Sequence, residues 1–256
     1  MNLCYNVRYL GGKRMEFNSK GIFNCYLRSL RFIGQGSQGM CFLRESDKTV
    51  IKVFNEYFDN EKCGYSEDFL LRFSGIKNGS FLWPKDVILV NGEVVGYTSS
   101  YRKASNLCDI NPLSANLDSL ERAINRIERD VKVVTDSGVK LYDVRYNILY
   151  NRGRMYVIDT LEYMDRRVSF RENMNNIDEE VMLFLVDGFF DDFVNNDWFL
   201  KEMYMGKDVS SVLFLKEFRK RLGEYMGREI VKLDTCKGIV KRKGSKAYIR
   251  GVITQN

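Results

Sequence analysis

The feature of this sequence that most limits its fold is a change of hydrophobic period part-way along the chain. Up to Tyr101 the apolar residues come in short runs broken by Gly, Asn and Asp, the pattern of strands and tight turns. From Asn116 onward the spacing changes. Leu117, Leu120, Ile124, Ile127, Val131 and Val134 recur every three or four residues with charges between them. They mark one face of an amphipathic helix, which Asp136-Ser137-Gly138 should close. A chain patterned in this way is α+β, with strands first and helices later. Its 256 residues suit one large domain or two small lobes.

Individual elements follow from the same patterns. Tyr26 to Ile33, Met40 to Leu43 and Thr49 to Phe54 read as strands, and Glu67 to Phe73 as a helix. Val87 to Val90 and Val94 to Tyr101 read as a hairpin around Asn91-Gly92, a strong two-residue turn signal. Ile148 to Tyr150 and Met155 to Ile158 form a second short hairpin around Asn151-Arg152-Gly153. Helices are expected from Ile177 to Met226, with Val181–Val186, Phe189, Phe190 and Phe193 in their core. Alternation returns over residues 229–256 and suggests a last hairpin around Lys243-Gly244-Ser245. The polar segment near Asn106 divides the chain into residues 1–105 and 106–256.

Composition removes several kinds of chemistry. The chain has no histidine, which excludes Ser-His-Asp and Cys-His mechanisms and the commonest zinc ligand. The six cysteines form no C-x-x-C pair and read as reduced, mostly buried thiols. No apolar run reaches the roughly 18 residues of a membrane helix, and the first residues lack the pattern of a secretory leader. The chain is therefore expected to be cytoplasmic, with no membrane partner. Its net charge of +6 is modest and the signs are mixed. The basic tail (Lys232, Lys237, Lys241, Arg242, Lys243, Lys246 and Arg250) reads as a solvated face, and nucleic acid is not an expected partner.

Three groups of residues carry candidate chemistry. The first is Gly34-Gln35-Gly36-Ser37-Gln38-Gly39, a G-x-G-x-x-G string between two strand-like runs. Dinucleotide-binding proteins place that string between a strand and a helix. Between two antiparallel strands it can lay backbone N–H groups over phosphates, because glycine lets the backbone approach closely. An ordinary hairpin turn is the competing reading. The second is Lys52 inside the apolar run Val50-Ile51-Lys52-Val53. A buried ammonium is costly unless paired, so this lysine is expected to reach phosphates and a carboxylate. Glu67 is the best candidate for that carboxylate, with Glu61 and Glu56 as rivals. The third is Asp143, Arg145 and Asn147 just before the second hairpin, with Asp159 just after it. The layout should bring Asn147 and Asp159 side by side, a neutral and a charged oxygen suited to Mg2+. Asp143 could then accept the proton of an attacking hydroxyl, and Arg145 could offset charge on a moving phosphoryl group.

On these residues the chain resembles the protein-kinase-like superfamily, specifically its compact bacterial members, over roughly residues 28–165. The resemblance implies a two-lobed fold, with a small antiparallel β N-lobe and a mainly helical C-lobe. It implies ATP and Mg2+ as cofactors and a γ-phosphoryl transfer to a protein or small-molecule hydroxyl. In that pattern Gly34, Gly36, Ser37 and Gly39 cover the phosphates and Lys52 pairs with Glu67. Asp143 is the catalytic aspartate, Asn147 and Asp159 hold the metal, and the backbone of Val95 to Ser100 approaches the adenine.

The chain also departs from the pattern. The step from Asp143 to Asn147 is four residues, where the family's catalytic loop has five. Anchoring the comparison on Asn147 would put Tyr142 at the base position. Anchoring it on Asp143 keeps Arg145 at the place of the family's basic residue and is preferred. The family's D-F-G reads Asp159-Thr160-Leu161, and no A-P-E follows. These losses argue against a phosphorylatable activation loop. They also give a pseudokinase that only binds as the alternative.

Overall fold

A computed structural model describes residues 8–9 and 14–239. The chain is mixed α and β and divides into two compact units. One holds the described residues up to Lys77 together with Leu82–Lys103. The other holds Asn78–Phe81 and the described residues from Ala104 on.

The first unit is built on a seven-stranded sheet. In chain order its elements are β1 (Arg8–Tyr9), β2 (Arg14–Phe17), α1 (Lys20–Arg28), β3 (Arg31–Gly36), β4 (Gly39–Arg44) and β5 (Thr49–Phe54). Then come α2 (Asn55–Asp59), α3 (Glu67–Leu71), β6 (Val87–Val90) and β7 (Glu93–Ser100). The strands lie in the order β1-β2-β6-β7-β5-β4-β3. All neighbours are antiparallel except β2 and β6, so the sheet is not the wholly antiparallel one expected. The Asn91-Gly92 turn forms as its sequence demands. Both residues have positive φ, at 54° and 78°, the backbone that closes a two-residue hairpin.

Tyr26 to Arg28 lie in α1, not in a strand. Ser19 caps that helix by accepting from the Ile22 N–H. Phe23, Tyr26 and Leu27 then share one face and are buried against Phe17, Ile51 and Val53. Helical spacing of three large side chains outweighed the local β-propensity of Tyr-Leu. Each such side chain contributes roughly 1.5–3 kcal/mol when fully buried.

The second unit contains β8 (Ser105–Asn106), α4 (Leu117–Asp136), β9 (Val139–Lys140), β10 (Ile148–Asn151), β11 (Arg154–Val157) and β12 (Met164–Asp165). Four helices follow: α5 (Phe170–Val186), α6 (Asp191–Asn196), α7 (Trp198–Met205) and α8 (Ser211–Met226). The six apolar positions of α4 named from the sequence are all buried, and Asn116 caps its start by accepting from the Ser119 N–H. β11, β10 and β8 form one small sheet, and β12 pairs with β9 to form another. Within the expected helical core, Val181, Met182, Phe184, Leu185, Val186, Phe189 and Phe190 are buried. Asp178 ties α5 to α8 by accepting from the N–H and hydroxyl of Ser211, and Arg171 pairs with the same carboxylate.

Of the expected last hairpin, the described part holds a short 3-10 turn at Leu233–Cys236, and residues 240–256 lie outside the described residues. Lys241, Arg242, Lys243, Lys246 and Arg250 fall there too. Among the described cysteines no disulfide forms. Only Cys236 among them is buried, while Cys25 is exposed and Cys41, Cys63 and Cys108 are half-buried. No helix of the described residues is long and apolar enough to cross a membrane.

Candidate functional site

The glycine string forms the tip of the β3–β4 hairpin, with Gly36 paired to Gly39 across Ser37-Gln38. Asn55 holds that tip. Its N–H donates to the Gln38 carbonyl at 3.1 Å, and its side-chain amide donates to the Ser37 carbonyl at 2.7 Å. The three glycines do different things. A Cβ at Gly39 would lie 2.2 Å from the Val53 carbonyl oxygen, so this glycine serves the close approach of β4 to β5. At Gly34 and Gly36 a Cβ would meet nothing within 4 Å. Packing does not require glycine there, which leaves room over the backbone for a ligand.

Lys52 sits mid-strand on β5, opposite Cys41 of β4 and Tyr97 of β7. It is 7% exposed, buried deeply enough that its charge must be met from within. Its Nζ donates to Gln38 Oε1 at 3.0 Å and lies 5.7 Å from the centre of the Tyr97 ring. The lysine is thus tied to the glycine turn itself, through a residue that sequence reasoning treated as a spacer.

The expected Lys52–Glu67 ion pair does not form. Glu67 opens α3, where its carboxylate accepts from Arg14 Nε on β2. Arg14 lies 53 positions away in sequence, so no local pattern could have shown that it would compete. The segment expected to face the adenine is part of the sheet. Gly96 and Tyr97 are paired on both sides, with β5 and with β6, and the Thr98 N–H donates to the Asp86 carbonyl. The backbone of Val95 to Ser100 is largely committed to the sheet.

In the second unit, β9 leads into the segment Leu141–Asn147. A buried amide on α5 fixes its start. Asn173 Oδ1 accepts from the Leu141 N–H at 2.8 Å, and its Nδ2 donates to the Val139 carbonyl at 2.8 Å and to Thr135 Oγ1 at 2.9 Å. Asn173 is fully buried. Its signal in the sequence was a polar residue in phase with Ile177 and Val181 on an apolar helix face.

The end of the segment is fixed by Asn147. Its Nδ2 donates to the Asp143 carbonyl at 2.8 Å, which leaves Oδ1 as an acceptor for another group. Its own carbonyl accepts from the Ile158 N–H at 3.0 Å, and Ile148 is paired with Val157. Asn147 therefore stands opposite the residue that precedes Asp159. Asp143, Tyr146 and Asp159 all have positive φ, at 48°, 64° and 54°. Such backbone is uncommon outside glycine, and three cases around one loop and one hairpin end mark a place where the chain accepts strain.

Tyr163 reports on both carboxylates. It is buried, and burial pushes its phenol well above the ordinary tyrosine range. The charges of Asp159 and Asp143 push it the same way. The two acids thus bear on one buried ring. Arg145 is exposed and lies 3.9 Å from a carboxylate oxygen of Glu180, a nearly buried residue of α5 that also accepts from the Tyr146 N–H. Burial raises the Glu180 carboxyl above its ordinary value. Tyr142 and Tyr146 are about half exposed and do not pack in a core.

Among the described residues no three or more Cys, Asp and Glu side chains are grouped to hold a metal. Asn147 Oδ1 and the Asp159 carboxylate are oxygen donors, the ligand type that Mg2+ takes together with waters and phosphate oxygens. Neither a scan against protein-family models nor a search of curated proteins returns a match to this chain.

Proposed function

We propose that the chain is a protein-kinase-like phosphotransferase that uses ATP and Mg2+ and moves the γ-phosphoryl group to a hydroxyl. The observation that carries this reading is the hydrogen bond from the Asn147 side-chain amide to the Asp143 carbonyl, with Asp159 one residue beyond the backbone partner of Asn147. It joins the base candidate to the candidate neutral ligand, and the candidate charged ligand follows Ile158 in the chain. The four-residue step from Asp143 to Asn147 still closes this bond, which supports anchoring the comparison on Asp143. In the first unit, a buried lysine on β5, the second strand after the glycine turn, with open space at Gly34 and Gly36, supports phosphate binding.

Asp143 takes the proton of the acceptor hydroxyl as its oxygen bonds to the γ-phosphorus. The bond from that phosphorus to the bridging oxygen breaks, and ADP leaves. Lys52 and the backbone of the glycine turn would hold phosphates, and Asn147 and Asp159 would hold the metal ion. When bound, Mg2+ neutralises charge on the phosphate oxygens. The favoured acceptor is a protein Ser or Thr, with a small-molecule hydroxyl as the alternative.

One observation favours a second reading, a pseudokinase that binds nucleotide without transfer. Glu67 is engaged by Arg14, so the Lys52–Glu67 pair of an active kinase is not formed.

Thermal unfolding with ATP, with and without magnesium, followed by a radiolabelled transfer assay, tests both readings. Magnesium-dependent stabilisation is expected. Asp159→Asn and Lys52→Ala should lower it, and Asp143→Asn should abolish transfer while keeping it. Stabilisation without transfer in the wild-type chain selects the second reading. No stabilisation at millimolar nucleotide removes both.

A further inference from the structure

Away from these residues, the second unit has a pocket of about 350 Å³ between α4, β11 and the segment Gly79–Ser80. Its lining includes three arginines, Arg126 and Arg129 of α4 and Arg154 of β11, against one acid, Asp130. Two of the guanidinium groups are held in place by backbone. Arg126 Nη1 donates to the Gly153 carbonyl at 2.8 Å, and Arg129 Nε donates to the Asn125 carbonyl at 3.2 Å. Asp130 accepts from the Gly79 N–H at 3.2 Å. Among the described residues none of the three arginines forms an ion pair with a carboxylate, whereas Arg14, Arg31, Arg44, Arg145, Arg171, Arg219 and Arg221 do.

A second observation points into the same pocket. Ser80 is 4% exposed and lines it. Its backbone N–H and carbonyl are satisfied by Asn78 and Val157, but its hydroxyl makes no hydrogen bond to a described residue. That hydroxyl is therefore available to donate to a ligand in the pocket.

We infer that this pocket binds a phosphate monoester dianion. Three guanidiniums and one carboxylate leave an excess of two positive charges, and a phosphate monoester carries about −1.5 to −2 at neutral pH. Planar guanidinium groups with fixed orientation suit phosphate oxygens through paired N–H donors. The Ser80 hydroxyl adds a neutral donor. The inference does not rest on the phosphotransfer reading, because none of these residues belongs to that set.

Isothermal titration of the full chain with O-phosphoserine, with inorganic phosphate and with a phosphoserine peptide tests it, in the absence of nucleotide and magnesium. Saturable binding of the monoesters is expected, with none for serine. Equal affinity for inorganic phosphate assigns the site to the free ion, and tighter binding of the peptide assigns it to a phosphorylated protein segment. Arg154→Gln should weaken binding by about tenfold or more, since a charge-assisted pair is lost. This guanidinium bonds no described residue, so the fold is not at risk. Ser80→Ala should weaken binding less, and Asp130→Asn should strengthen it by removing the one opposing charge. Absence of saturable binding at millimolar ligand overturns the inference. So does binding that is unchanged by both Arg154→Gln and Asp130→Asn, since it would be a diffuse response to polyanions.

Discussion

Replacing Asn173 by alanine should unfold the second unit at markedly lower denaturant concentration. The cost can be worked from the bonds. Leu141 and Val139 are each 1% exposed, so the Leu141 N–H and the Val139 carbonyl would lose their partner without gaining water. An unsatisfied buried backbone group costs about 1–3 kcal/mol. The third bond matters little, because the Thr135 hydroxyl already donates to the Val131 carbonyl at 2.8 Å. The expected loss is therefore about 3–5 kcal/mol, or roughly 6–20 °C in melting temperature for a chain of this size. Urea unfolding measures the sum, and hydrogen exchange at the Leu141 amide measures the local part. A loss below about 1 kcal/mol, with Leu141 protection unchanged, would refute the claim that this amide anchors the segment leading to Asp143.

Two further outcomes follow from the same geometry. Gly39→Ala should destabilise the first unit by about 2 kcal/mol or more, because its Cβ would meet the Val53 carbonyl at 2.2 Å, whereas Gly34→Ala should leave unfolding almost unchanged. Parallel denaturation curves for the two variants, with equal midpoints, would contradict this division of roles. Glu180→Gln should alter the dependence of stability on pH. Burial raises the Glu180 carboxyl in the folded chain, so above its ordinary value of 4.5 the folded state holds more proton than the unfolded one. Wild-type stability from this group is present at low pH and is lost as pH rises through the raised value. The variant, measured against wild type by urea unfolding across the acid range, should gain relative stability as pH increases. A constant difference would show that this carboxyl is not perturbed.

Much of the second unit was readable along the chain because its signals are local. The α4 stripe and the Asn151-Arg152-Gly153 turn each lie within a few turns of one element, and the backbone has few alternatives at such spacing. The Asn91-Gly92 hairpin was readable for the same reason: only a few residue types accept positive φ twice in succession. The start of the first unit was misread where a strand was expected from Tyr26. Helical phase became decisive there only through burial against Phe17 on the preceding strand and Ile51 on β5, farther along the chain.

The sequence by itself determined the α+β class, the place of the glycine turn and lysine strand, and the loop and hairpin bearing Asp143, Asn147 and Asp159. Each of these depends on local backbone preference and on the period of apolar residues. Only the tertiary structure decided which polar groups meet: Lys52 with Gln38, Glu67 with Arg14, Asn173 with the segment before Asp143, and three arginines around Ser80. Those pairings join residues far apart in the chain. They are settled by which groups burial leaves within hydrogen-bond reach of one another, and a linear pattern carries no record of that.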